Sequence, residues 1–131
     1  MNYLTEKQIL LIHSMIIDET GGSHGIRDHH AILSLVNASR QSVFGKELYP
    51  TLFLKAALYA RDVIMNHPFM DGNKRTGVSV ASIFLVHNGY RVIAQEGEIE
   101  QLALDIIKNK WSVGLIAEWF EKHSRKQRKE V

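Results

Sequence analysis

The sequence predicts an all-α protein of about six helices packed around one buried central helix. Three observations lead to this prediction. Apolar residues recur at helical spacing in six separate segments of the chain. One of these segments, residues 73–87, is apolar on nearly every face, which is typical of a helix at the centre of its domain. The chain has 131 residues, 45% of them apolar, which fits a single domain with one core.

A glycine-rich loop separates the first two helices. Thr5 and Gln8 have the spacing of a capping box, so the first helix is expected to begin there and to end at Gly21 and Gly22. The second helix is expected near Asp28 to Ser39. The apolar positions expected to face inward are Ile9, Ile12, Ile16 and Ile17 in the first helix and Ile32, Leu35 and Val36 in the second.

The third and fourth helices flank a short non-helical segment. Residues 41–49 are polar and read either as a plain connector or as a loop that docks another chain, and Pro50 is expected in the first turn of the third helix. This helix should end before His67, because a residue that precedes proline is disfavoured in helical geometry. The fourth helix is expected from Asn73 to His87, ended by Asn88 and Gly89.

Two shorter helices and a basic tail complete the chain. Residues 90–94 are expected to be an extended connector, the fifth helix lies around residues 99–107, and Ser112 is expected to cap the sixth. We place the domain at residues 1–122 and interpret residues 123–131 as a frayed basic tail. The other interpretation of this tail is a short contact with nucleic acid or a partner protein.

Composition excludes several classes of protein. A formal net charge of +2 is too small to indicate a nucleic-acid-binding protein, and the absence of cysteine excludes disulfides and thiolate metal sites. The longest apolar run, Gly77 to Val86, is too short to span a membrane, and the N-terminus lacks the pattern of a signal peptide. We therefore expect a soluble cytoplasmic protein without a membrane or nucleic-acid partner.

The segment from His67 to Gly77 carries the residues suited to chemistry. It opens the most apolar helix, and a helix N-terminus attracts phosphate through its unpaired N–H groups and positive dipole end. Two adjacent cations in that first turn oppose the dipole, so a bound anion would explain them. Asp71 can offer oxygen to Mg²⁺, and His67 can accept a proton near neutral pH. Singly, each residue could equally be a cap, a turn residue or a solvated charge.

The same segment resembles the signature His-x-Phe-x-(Asp/Glu/Asn)-Gly-Asn-(Gly/Lys)-Arg of the Fic/Doc family and fills every fixed place. The similarity to the death-on-curing branch of that family extends to Gly25 to Asp28, Glu47 to Thr51 and Asn88 to Tyr90. It covers the chain from about Tyr3 to Lys122. The resemblance implies a Fic/Doc-like helical bundle and an enzyme that transfers a phosphoryl or nucleotidyl group to a protein hydroxyl.

The resemblance also implies a role for each residue of the loop. ATP would be the co-substrate and Mg²⁺ the cofactor. His67 resembles the general base that deprotonates the target hydroxyl. The expected catalytic residues are His67, Asp71 and Arg75, the expected phosphate-binding residues are Gly72, Asn73, Lys74 and Arg75, the metal ligand is Asp71, and the structural anchor of the loop is Phe69.

Two departures from the family pattern bear on the reaction. Adenylyl-transferring members usually have a second glycine where this chain has Lys74 and a further arginine where it has Val78. This pattern is similar to the death-on-curing branch, which is described as phosphorylating a threonine of elongation factor Tu. We therefore expect a Ser/Thr protein kinase with a target such as elongation factor Tu, and adenylyl transfer is the alternative.

Regulation is expected to come from a second protein. Many family members carry an inhibitory (Ser/Thr)-x-x-x-Glu-(Gly/Asn) motif, but Glu96 is the only Glu followed by Gly or Asn, and Val92 occupies its Ser/Thr place. The resemblance thus implies a growth-blocking toxin that is restrained by a small antitoxin. A catalytically silent module that binds nucleic acid or protein is the remaining alternative, and the intact loop argues against it.

Overall fold

The predicted all-α fold is confirmed in the computed structural model, which describes residues 1–95 and 97–127. Within these residues the chain forms six helices and four short strands. The helices are α1 (Glu6–Thr20), α2 (His29–Ala38), α3 (Leu52–Asn66), α4 (Asn73–His87), α5 (Glu98–Lys108) and α6 (Val113–Lys122). The strands are β1 (Ser42–Val43), β2 (Lys46–Glu47), β3 (Tyr90–Val92) and β4 (Ser124–Lys126). No helix in the described part of the chain is long and apolar enough to cross a membrane.

Two helices rather than one share the centre of the core. α4 is buried as expected, but α3 is equally enclosed, with six consecutive buried residues from Lys55 to Ala60. The two helices approach closely at Gly77, where a Cβ atom would lie 2.8 Å from Ile64 Cγ1 and 3.0 Å from the Ala60 carbonyl oxygen. Glycine therefore lets α4 press directly against the backbone of α3. The other helices pack around this pair.

Local side-chain caps set most helix starts. The predicted capping box of α1 is present, since Thr5 Oγ1 accepts from the Gln8 amide while the Gln8 side chain accepts from Thr5 N–H. The expectation for Pro50 was wrong. α3 begins at Leu52 with Thr51 as its N-cap, so Pro50 lies before the helix rather than in its first turn. The Thr51 hydroxyl accepts a hydrogen bond from the Leu54 amide, and such a side-chain cap stabilises the start of a helix.

The connector of residues 41–49 is a β-hairpin anchored by a buried lysine. β1 and β2 pair in antiparallel register around a tip at Phe44 and Gly45. The Lys55 side chain is 0% exposed, and its Nζ donates to the Ser39 carbonyl at 2.7 Å and to Glu47 Oε1 at 3.1 Å. Burial of a lysine is costly unless its charge is paired and hydrogen-bonded, so this contact ties β2 firmly to α3.

The prediction of a frayed basic tail differs from the structure over part of its length. Ser124–Lys126 forms β4, which pairs in antiparallel register with β3 in the expected 90–94 connector. The Gln127 amide continues the contact by donating to the Gly89 carbonyl at 2.8 Å. Backbone pairing thus extends the ordered domain past Lys122, and residues 128–131 of the expected tail lie outside the described residues.

Candidate active site

His67 occupies an unusual backbone conformation at the end of α3. It is the C-terminal cap of that helix, in left-handed geometry with φ 47° and ψ 59°. The following proline disfavours the helical region at this position, which explains why α3 stops here as predicted. Left-handed geometry costs a non-glycine residue of order 1–3 kcal/mol, so surrounding contacts must hold it. The His67 side chain is exposed.

The segment Gly25 to Asp28 provides those contacts. The Arg27 side chain donates from Nε to the His67 carbonyl at 2.5 Å and from Nη2 to the Asn66 carbonyl at 2.6 Å. Main-chain bonds run alongside. The Arg27 and Asp28 amides donate to the Pro68 carbonyl, and the Met70 amide donates to the Gly25 carbonyl. The loop from His67 to Arg75, the expected catalytic loop, is therefore paired with the α1–α2 loop like a short antiparallel sheet.

Phe69 is the buried anchor of the loop, and it packs on a histidine that sequence reasoning missed. Phe69 is 1% exposed and its ring stacks on that of His13, with centroids 3.7 Å apart and planes within 4°. His13 is itself 2% exposed, and its Nε2 lies 2.9 Å from the Asp71 carbonyl oxygen. Because a carbonyl oxygen can only accept, Nε2 carries a hydrogen and donates it to Asp71. One side chain of α1 thus contacts both ends of the segment between Phe69 and Asp71.

Asn73 closes the loop with its side chain. Its Oδ1 accepts from the Phe69 amide at 3.1 Å, and its Nδ2 donates to the Phe69 carbonyl at 2.9 Å. Both halves of the amide are therefore engaged within the protein, and Asn73 is 8% exposed. Only the main-chain N–H of Asn73 is therefore available to the predicted phosphate site, and the side chain holds the shape of the loop.

The N-terminus of α4 is open towards solvent and lacks a capping side chain. Gly72, at φ 77°, is the N-cap and has no side chain to bond the first amides. A Cβ there would also lie 3.0 Å from Ile17 Cδ1. Both the positive φ and this close contact therefore favour glycine at position 72. The first N–H groups of a helix have no intrahelical partner, so they are available to an anion.

Two exposed cations flank this helix end. Lys74 and Arg75 lie in the first turn of α4, and within residues 1–95 and 97–127 neither has a carboxylate oxygen within 4 Å. No acidic residue occupies that turn to complement the helix dipole. Both the dipole and the side chains therefore present positive charge to the same space. A phosphate group is the ligand that this field favours.

The Asp71 carboxylate is positioned by the α1–α2 loop. Its Oδ2 accepts from the Ser23 amide at 2.8 Å, while Asp71 as a whole is exposed. In the described part of the chain no three His, Cys, Asp or Glu side chains gather into a metal cluster. A single carboxylate beside a phosphate site fits Mg²⁺, which is commonly held by one or two carboxylates together with substrate phosphates and water. Asp71 therefore fits the predicted ligand of a nucleotide-borne Mg²⁺.

One cavity brings the predicted residues together. It has a volume of about 430 Å³ and opens at the α4 N-terminus. Its walls are formed by Thr20, His67, Met70, Asp71, Gly72, Asn73, Lys74 and Arg75. All predicted catalytic and phosphate-binding residues thus line one space, with Phe69 buried beneath it. His24, which contacts Asp18, and His29, which contacts Glu6, do not line this cavity.

Comparison with known proteins identifies the class. Residues 3–85, well over half of the chain, match the model of the Fic/DOC family. The chain therefore belongs to the Fic/Doc family.

Two curated relatives belong to the Doc group of that family. The chain is 34% identical over 92 residues to the Toxin Doc of Mycolicibacterium smegmatis, a match that covers 70% of this chain and 68% of that protein. It is 26% identical over 118 residues to the Protein kinase doc of Escherichia phage P1, covering 90% of this chain and 92% of that protein. The predicted likeness to the death-on-curing branch is confirmed.

Proposed function

We propose that this protein is a toxin-type protein kinase that transfers the γ-phosphoryl group of ATP to a Ser or Thr hydroxyl of a target protein. The observation that carries the proposal is the cavity of about 430 Å³ at the N-terminus of α4, which is lined by an exposed histidine, an exposed carboxylate and two cations. Among residues 1–95 and 97–127, neither cation has a carboxylate oxygen within 4 Å. The relative named as a protein kinase supports the same reaction class.

The residues divide the work of the transfer. The target oxygen forms a bond to the γ-phosphorus while the bond between that phosphorus and the β,γ-bridging oxygen breaks, and ADP leaves with the bridging oxygen. His67 accepts the proton of the attacking hydroxyl. The α4 N–H groups, Lys74 and Arg75 bind and orient the phosphates, so catalysis rests on positioning and charge neutralisation.

Mg²⁺ fits this site as a companion of ATP. Asp71 would hold it, and the ion would supply charge neutralisation to the phosphate oxygens. The Ser23 amide already engages Asp71 Oδ2, which orients the carboxylate before any ligand arrives.

Phosphoryl transfer is favoured over adenylyl transfer by two side chains. Lys74 adds bulk and charge where adenylyl-transferring members have glycine. Val78, where they have arginine, is 4% exposed and cannot bind a second phosphate. Mass spectrometry of the modified target distinguishes the two reactions, because a kinase adds one phosphoryl group and an adenylyltransferase adds a whole nucleotidyl group.

Binding to the nucleotide can be tested apart from turnover. Arg75→Ala should weaken ATP–Mg²⁺ binding by about 1.5–3 kcal/mol, the range for a hydrogen bond to a charged group. Asp71→Ala should instead reduce the dependence of binding on Mg²⁺. Arg91→Gln, an exposed arginine of β3, is the control that removes a charge elsewhere. Calorimetry that finds all three variants binding like the parent would place the nucleotide outside this loop.

Restraint by an antitoxin is part of the proposal. A groove of about 450 Å³ runs beside Arg75 between α1, α4 and α5, with apolar walls that include Ile16, Val78 and Ile99. An apolar face of a partner segment would fit it. Expression of this chain alone should stop growth, whereas the His67→Ala variant should not. Equal growth of the two strains, with the fold intact, would contradict the toxin assignment.

The target would approach the cavity over the β1–β2 hairpin. The hairpin tip carries Phe44, which is fully exposed in left-handed geometry, and Val43 beside it is also exposed. Elongation factor Tu is the proposed target because of the likeness to the death-on-curing branch. Incubation of purified factor with the enzyme and ATP, followed by mapping of the modified residue, tests this choice.

A further inference from the structure

We infer that Arg27 is a positioning residue for His67, a role that rests on the proposed function. The guanidinium group bridges two consecutive main-chain carbonyls at the end of α3. Its Nε donates to the His67 carbonyl at 2.5 Å, and its Nη2 donates to the Asn66 carbonyl at 2.6 Å. Arg27 lies some 40 residues earlier in the sequence and outside the cavity that holds the other site residues.

Two fixed carbonyls determine where the His67 side chain points. Each carbonyl defines the orientation of one peptide plane, and the two planes on either side of the His67 Cα set its φ and ψ. Those angles are 47° and 59°, a left-handed geometry that a histidine adopts only when neighbouring contacts hold it. Loss of the bridge would let this peptide relax towards ordinary geometry and swing the imidazole away from the attacking hydroxyl.

The chemistry of arginine suits this task better than that of lysine. The last carbonyls of a helix lack intrahelical partners and form the negative end of its dipole, so a cation there is favoured. A planar guanidinium offers two parallel donors at fixed spacing, which matches two successive carbonyls. A lysine ammonium is a point charge on a flexible stem and would hold the two carbonyls less rigidly.

The main-chain bonds of the same segment would hold the loop in place when Arg27 is replaced. The amides of residues 27 and 28 both donate to the Pro68 carbonyl, and the Met70 amide donates to the Gly25 carbonyl. Arg27 is also exposed, so its truncation opens no cavity in the core. A variant should therefore fold and bind nucleotide while the histidine alone loses its alignment.

The test compares three variants of the 131-residue chain. Arg27→Gln removes both the charge and the pair of parallel guanidinium donors, and Arg27→Lys keeps only the charge. Arg91→Gln on β3 is the matched control. Each variant is incubated with a cell lysate and γ-labelled ATP at a saturating concentration. The quantity measured is the initial rate of label incorporation into the protein that the parent enzyme labels. Calorimetry of ATP–Mg²⁺ binding and circular dichroism accompany each variant.

We expect Arg27→Gln to lower the saturated rate about 10- to 100-fold, the loss typical of a misplacement of about 1 Å at a catalytic group. The ATP–Mg²⁺ affinity of Arg27→Gln should stay at the parental value. The saturated rate of Arg27→Lys should lie between those of Arg27→Gln and the parent, and that of Arg91→Gln should match the parent.

Two results would overturn the inference. The first is a parental rate in folded Arg27→Gln, and the second is an equal loss of rate and ATP affinity, which would mark Arg27 as a helix cap or phosphate ligand. These results differ from a failure of the proposed function, which would appear as parental labelling by folded His67→Ala whatever Arg27 does.

Discussion

Replacement of His13 gives the sharpest view of how the catalytic loop is stabilised. His13→Ala removes the hydrogen bond to the Asp71 carbonyl, worth about 0.5–1.5 kcal/mol. It also removes the stack on Phe69, worth about 0.5–1.5 kcal/mol, and leaves a cavity because the ring is 2% exposed. The three terms together predict a loss of roughly 2–4 kcal/mol in the free energy of unfolding. His13→Phe keeps the stacked ring and should lose only about 1 kcal/mol, the hydrogen-bond term.

Urea denaturation at one pH measures these free energies directly. Met15→Ala is the control, since Met15 lies on the same helix and is 60% exposed, and it should change stability by less than about 0.5 kcal/mol. His13→Ala should also raise the Mg²⁺ concentration needed for half-maximal labelling, because Asp71 loses a main-chain anchor. The reasoning is refuted if His13→Ala and His13→Phe cost the same, or if His13→Ala costs no more than Met15→Ala.

Three further predictions follow from contacts away from the loop. Gly77→Ala should lower stability by about 1–3 kcal/mol because its Cβ would lie 2.8 Å from Ile64 Cγ1, whereas Gly114→Ala, with 3.7 Å to its nearest atom, should be neutral or stabilising in thermal unfolding. Glu47→Gln should cost roughly 1–3 kcal/mol in urea titrations by leaving the buried Lys55 without its carboxylate, and a smaller effect than that of Arg91→Gln would disprove the anchoring role. The backbone hydrogen bond from Gln95, with help from His123, holds the pKa of Glu98 below its ordinary value of 4.5. Its contribution to stability is therefore full above about pH 4.5 and is lost as the pH falls below it, so Glu98→Gln should flatten the acid limb of the stability profile.

Local patterns in the sequence predict well where α3 ends and where α4 begins and ends, and these bounds place the loop between the two helices. The bounds of α4 agree with the prediction at both ends, because the Gly72 turn and the Asn88-Gly89 pair act over a few residues. The end of α3 is set in the same way by the steric effect of Pro68 on His67. Thr51 shows the limit of this approach, because it caps α3 and leaves Pro50 before the helix rather than in the expected first turn.

Contacts between distant segments could not be predicted from the sequence. Arg27, His13 and Ser23 reach the catalytic loop across 39 to 58 residues, and no local pattern pairs them with it. His13 did give a signal, because it lies four residues from both Ile9 and Ile17 on the buried face of α1. A polar residue on an apolar stripe often has a buried partner.

The end of the chain shows the same limit. A run of basic residues is usually solvated, but Ser124–Lys126 finds a backbone partner in β3, some 34 residues earlier. Strand pairing is decided by tertiary contact rather than by side-chain composition.

Labelling with two forms of ATP tests the central claim most directly. Lysate is incubated with the purified enzyme and ATP labelled on either the α- or the γ-phosphate, with His67→Ala in parallel. The account predicts that one protein gains label from the γ-phosphate only and that folded His67→Ala transfers none. Label from the α-phosphate would contradict the kinase assignment in favour of adenylyl transfer, and undiminished labelling by His67→Ala would contradict the assignment of His67 as the base.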